Sequence, residues 1–120
     1  MLYSKRGGIT VAKIDNYEVY TDVVKSLVTE AANNVEGIEV IDESKNVKGR
    51  SFRGQGVSVY LMPDDKATID IFANIYFGYN VPDVVAMVQE AAKKAVEATT
   101  RYTVTSINVQ VVSVIFPPNN

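Results

Sequence analysis

The chain has 120 residues, of which 47% are hydrophobic and 22% charged, with a formal net charge of -2 at pH 7. One core fills at roughly 100 to 150 residues, so a single domain spanning 1–120 is expected, and the net acidity excludes attraction of the whole domain to nucleic acid or anionic lipid. The sequence contains no Cys and no His, which excludes thiolate and imidazole zinc sites, cysteine nucleophiles, imidazole-based triads and disulfides, and suits a reducing cytoplasm.

Residues 1–8 read as a loose tail, with Lys5 and Arg6 before a glycine pair and no apolar signal region. Ile9 to Ile14 and Tyr17 to Tyr20 are β-rich around Asp15-Asn16, and fit two short strands or one bent strand equally. Thr21 is placed to cap a first helix, in which Val24, Leu27, Val28, Ala31 and Val35 recur at helical spacing until Gly37. Ile38 to Ile41 suggest a short strand.

Residues 44–56 are too polar and too rich in Gly for a core element, which predicts a long hairpin loop before a strand over GVSVYLM. Pro63-Asp64-Asp65-Lys66 is turn-forming, so the strands on either side of it should be antiparallel neighbours. The next strand alternates Ile69, Ile71, Ala73, Ile75 and Phe77 against Asp70, Phe72, Asn74 and Tyr76, which puts one wholly apolar face under helices.

Asn80 or Val81 caps a second helix, with Pro82 in its first turn. Its apolar stripe is Val81, Val84, Val85, Val88, Ala92, Ala95 and Val96; Asp83, Glu90, Lys94, Glu97 and Arg101 form the solvated face. A final strand, TVTSINVQVVSVIF, ends at Pro117-Pro118, leaving 117–120 as a tail. The elements predict an α+β fold in the order β-α-β-β-β-α-β, a two-layer sandwich with two helices on one face of a mostly antiparallel sheet. No stretch of about 18 apolar residues exists to span a membrane.

Chemistry-bearing clusters are few. Lys45, Lys48, Arg50 and Arg53 give segment 44–56 four cations and no acid, which could grip RNA phosphates, anionic headgroups or an acidic partner. The plainer reading is a solvated loop whose cations balance Asp42 and Glu43. Tyr60, Phe72 and Tyr76 could form an aromatic sheet face or ordinary cross-strand pairs. Asp70 with Asn74 is the nearest approach to a catalytic pair, but a solvated sheet face is the plainer reading. Gln89 sits at the edge of the helical stripe, where its amide can bond a neighbouring backbone group or a partner. No nucleotide-binding motif occurs, and no metal or other cofactor is expected.

The order of these pieces resembles the alkaline shock protein family, the Gls-type envelope stress response proteins of Gram-positive bacteria. The residues that carry the resemblance are Asp22-Val23-Val24, Val35-Glu36-Gly37-Ile38, Gly56-Val57-Ser58-Val59, Ile69-Asp70-Ile71, Ile75-Tyr76-Phe77-Gly78, Val88-Gln89 and Ser106-Ile107-Asn108-Val109-Gln110-Val111. Gly37, Gly56, Gly78, Gln89 and Asn108 are its structural positions. The resemblance implies a cytoplasmic, non-catalytic protein that self-associates and is held near the membrane by a separate anchoring protein in some members. In others it implies a link to regulation of lipid synthesis. The exposed cations Lys45, Lys48, Arg50, Arg53, Lys94 and Arg101 are then the candidate contact residues for a protein partner.

Overall fold

A computed structural model describes residues 17–41 and 56–117. Its elements are α1 (Tyr17–Asn33), β1 (Ile38–Val40), β2 (Val57–Met62), β3 (Lys66–Tyr76), α2 (Val81–Thr99) and β4 (Thr103–Ile115). The fold is α+β. β3 lies in the middle of the sheet, antiparallel to β1 and β2 and parallel to β4. The parallel pair follows from chain geometry: α2 carries the chain back along the sheet before β4 begins, as a crossover requires.

The apolar face of β3 buries Ala67, Ile69, Ile71, Ala73 and Ile75 completely. Against it pack Val24, Val28 and Ala32 of α1 and Val84, Val88, Ala92 and Val96 of α2, so both helices share one face of the sheet. Truncating a buried isoleucine such as Ile71 to Ala should cost about 2–5 kcal/mol, because transfer free energy and cavity cost add. The opposite face of β3 carries Thr68, Asp70, Phe72, Asn74 and Tyr76, all half-buried, and no described element lies over it.

The structure corrects the sequence reading at the first helix. Tyr17 to Tyr20, expected as strand, are the first turn of α1, and Thr21 lies within the helix and does not cap it. The reason is tertiary: Tyr20 packs edge-on against Tyr102, ring centroids 6.1 Å apart, and this contact overrides the β preference of aromatic and branched residues. The strand expected over Ile9 to Ile14, and with it the leading β of the predicted order, lies outside the described residues.

Residues 44–55, expected with Gly56 as a long hairpin loop, lie outside the described residues. β4 occupies one edge of β3 along its whole length, so β1 and β2 share the other. They run in the same direction, end to end, as one strand line interrupted between Ile41 and Gly56. Both ends of the interruption meet Phe72: its carbonyl accepts from the Ile41 N–H at 3.0 Å and its N–H donates to the Gly56 carbonyl at 2.7 Å. A Cβ on residue 56 would fall on the Ile41 carbonyl oxygen, so only glycine lets the chain close here.

The remaining turns follow their sequence signals. Between β2 and β3, Asp64 and Asp65 take positive φ values of 68° and 58°, a conformation that Asp tolerates better than most residues. Gly37 leaves α1 with φ near +100°, and a Cβ there would lie 2.8 Å from the Tyr79 ring. Gly78 turns the chain out of β3, and the Asn80 side chain then caps α2 by accepting from the Asp83 N–H at 3.0 Å.

Candidate interaction surface

β4 is the longest strand, 13 residues, and from Thr103 to Phe116 it contains no charged side chain. Its inner edge is paired with β3. Register shifts leave Thr105 and Val112 as extra residues, so the alternation resets twice. The Thr103 N–H donates to Asp65 O at 2.8 Å and Ile115 O accepts from Phe77 at 2.6 Å, both on the inner side. By alternation, Val104, Ile107, Val109, Val111 and Val114 turn their backbone polar groups to the outer edge.

Two of those outward groups are satisfied by α2. The Val104 N–H donates to Glu97 Oε2 at 2.8 Å, and Gln89 Nε2 donates to the Ile107 carbonyl at 2.9 Å. Gln89 therefore has the backbone-bonding role that its place on the helix suggested. Glu97, expected on a solvated face, reaches back to cap the strand. From Val109 onward no described residue pairs with the edge. An uncharged, unpaired strand edge is a template for adding another strand, and the usual blocking devices, a Lys or Pro on the strand, are absent from this half.

The same end of the sheet is apolar. Phe77 and Phe116 pack with tilted rings, centroids 5.2 Å apart, while remaining 62% and 76% exposed, and Val114, two residues before Phe116, is 51% exposed. An apolar patch continuous with an open strand edge is the arrangement used by proteins that bind partners by β-augmentation.

The other predicted site residues are placed as follows. Arg101 Nε holds Asp65 Oδ1 at 3.1 Å, and its guanidinium carbon lies 5.7 Å and 5.8 Å from the Tyr20 and Tyr102 ring centroids. The hydrogen bond and charge of Asp65 raise its pKa further above an already high value. This cation ties the exit of α2 to the β2–β3 turn and to α1. Lys94 is exposed on α2. Lys45, Lys48, Arg50 and Arg53 lie outside the described residues.

On the uncovered sheet face, Asn108 donates to Asp70 at 2.9 Å, Asn74 donates to Glu39 at 3.2 Å, and Ser113 donates to Asn74 at 3.1 Å. These polar side chains are engaged in cross-strand bonds. Asp70 and Asn74 stand four residues apart on one strand, roughly 13 Å, too far to converge on one reacting atom. Among the described residues, no group of three or more acidic side chains is placed to hold a metal ion, and no helix is long and apolar enough to cross a membrane.

The chain is similar to the uncharacterized protein YqhY of Bacillus subtilis (strain 168), 29% identical over 104 residues, covering 82% of this chain and 76% of the relative. No solved structure matches it. The family model for alkaline shock protein 23, described as having a cell envelope-related function, matches residues 10–116. The chain belongs to the alkaline shock protein 23 family, whose function is related to the cell envelope.

Proposed function

We propose that the protein is a non-catalytic interaction module that acts by protein–protein contacts at the cytoplasmic side of the cell envelope, docking through the outer edge of β4. The observation that carries this reading is the uncharged edge from Val109 to Ile115, unpaired among the described residues and continuous with exposed Phe77, Val114 and Phe116. Family membership supports the envelope setting, and a second copy of the chain or a membrane-anchoring or lipid-synthesis protein are the partners of this reading. Lys94, exposed on α2, gives a neighbouring charged contact.

The test is co-isolation from the host with the wild-type chain and with Val112→Lys/Val114→Lys as baits. Wild type should retain envelope or lipid-synthesis proteins that the double variant loses while keeping its circular dichroism spectrum. Equal retention by both, or no specific retention by either, would contradict the reading.

A second reading rests on the interruption clamped between Ile41 and Gly56, which anchors the four-cation segment to the sheet at Phe72. In it, Lys45, Lys48, Arg50 and Arg53 bind an anionic polymer or lipid headgroups. Salt-dependent binding to RNA or acidic vesicles that disappears when all four charges are reversed supports it, and binding that survives the reversal refutes it.

A further inference from the structure

α1 and α2 lie side by side on the sheet and run in opposite directions. α1 starts where Tyr20 meets Arg101 and Tyr102, at the exit of α2. It ends before Gly37, whose carbonyl accepts from the Tyr76 N–H shortly before α2 begins. The core-facing stripes of the two helices are buried, but the furrow between them on the solvent side is apolar.

Helical angles give the residues that border this furrow. Gln89 faces β4, and Met87, about 200° around the helix from it, lies on the flank toward α1. Tyr20 faces the exit of α2, and Leu27, about two turns further along α1, shares its flank with Val23 beside it. Val19, Val23 and Met87 are 47%, 43% and 48% exposed. An open groove of about 330 Å³ runs along Asp22, Val23, Ser26, Leu27 and Glu30. On the flank of Met87, α2 adds Ala91 and Ala98, whose side chains are too small to fill the space.

The borders are acidic. Asp22 and Glu30 line the groove itself, and Glu90 is exposed on the outer face of α2. Against these three carboxylates stands Lys94, exposed on the flank of Met87. Among the described residues none of these four forms an ion pair.

We infer that this furrow is a second docking surface, and that it takes an amphipathic helix of a partner protein, apolar along one stripe and cationic at the borders of that stripe. The charge pattern selects this occupant. A second copy docked face to face would set Asp22, Glu30 and Glu90 near the same carboxylates of the other chain, and an anionic lipid surface would meet them too; both arrangements are repulsive. A cationic helix lying along the furrow meets Asp22 and Glu30, about 12 Å apart along α1, with cations two turns apart on its own border. The furrow and the outer edge of β4 lie on opposite flanks of α2, so one chain can hold a helix at the first and an extended segment at the second, as a scaffold does. The furrow does not depend on the β4 reading.

The probe is a fluorescein-labelled helical peptide of about five turns, with Leu along one stripe and Lys at its borders, beside a copy with Glu in place of every Lys. Each is titrated with the full chain and followed by fluorescence anisotropy. The Lys peptide should bind and the Glu peptide should not. Val23→Ser/Met87→Ser, with an unchanged circular dichroism spectrum, should weaken binding of the Lys peptide by about tenfold or more. Asp22→Lys/Glu30→Lys should transfer binding to the Glu peptide, which general stickiness of a cationic peptide does not explain. Val112→Lys/Val114→Lys should bind the Lys peptide as wild type does, so failure at the furrow and failure at β4 are read separately. No binding of either peptide, equal binding of both, binding unaffected by the two furrow variants, or a loss caused by the β4 variant alone overturns the inference. Self-association or vesicle binding abolished by Val23→Ser/Met87→Ser, with no peptide bound, overturns it in favour of another occupant.

Discussion

Replacing Gly56 with Ala should destabilise the fold through a single backbone collision. The added Cβ lands on the carbonyl oxygen of Ile41, and neither group is the end of a flexible side chain that can rotate aside. The strand line must open, pulling on the two hydrogen bonds that Phe72 makes to Ile41 and Gly56. At about 0.5–1.5 kcal/mol net per bond the loss is about 1–3 kcal/mol. Reduced entropy of the unfolded chain returns about 0.4–1 kcal/mol, leaving about 1–2 kcal/mol. Urea unfolding followed by circular dichroism should therefore show a lower midpoint at an unchanged slope. A Gly56→Ala chain as stable as wild type would refute the claim that the interruption closes at this point.

Four further outcomes follow from the same structure. Ile71→Ala, wholly buried between the helices and the sheet, should cost about 2–5 kcal/mol in the same unfolding assay, and a loss below 1 kcal/mol would contradict the core assignment. Asn80→Ala removes the cap on α2 and should cost about 0.5–2 kcal/mol, with Asn80→Asp close to wild type. Gln89→Leu leaves the Ile107 carbonyl without its side-chain donor; a loss of about 1 kcal/mol in unfolding is expected, with faster exchange along β4. Arg101→Ala should destabilise by about 1 kcal/mol or less, since the ion pair with Asp65 is well exposed and such pairs are worth little; most of that loss should persist in high salt, where the ring contacts remain.

The central part of the fold was legible because its signals were local and periodic. Strict alternation from Ile69 to Ile75 identified β3 and its buried face, whereas Phe77, read onto the same face, lies past the end of the strand and is 62% exposed; the Pro63 to Lys66 run identified the turn before it. Asn80 and Pro82 marked the start of α2. One feature depended on distant partners and was misread: Tyr17 to Tyr20 have the composition of a strand, and the packing of Tyr20 against Tyr102, far along the chain, leaves no local trace. That β1 and β2 share one edge of β3 is equally non-local, because β4 uses the other edge.

The candidate surface was only partly visible. For Gln89 the sequence leaves open a bond to neighbouring backbone or to a partner, and the structure gives the Ile107 carbonyl as acceptor. Glu97 was assigned to solvent because helical spacing does not show that a side chain reaches around the helix to a strand N–H. The open edge had a readable trace in the complete absence of charge from Thr103 to Phe116. Its significance needed the sheet order, which places β4 at the outside of the described strands.

The most direct test of docking through β4 is the concentration dependence of the molecular mass of the purified chain, followed by sedimentation for wild type and for Val112→Lys/Val114→Lys. The account predicts that wild type self-associates as its concentration rises and that the double variant, folded to the same spectrum, stays monomeric. Identical mass curves for the two proteins would contradict it.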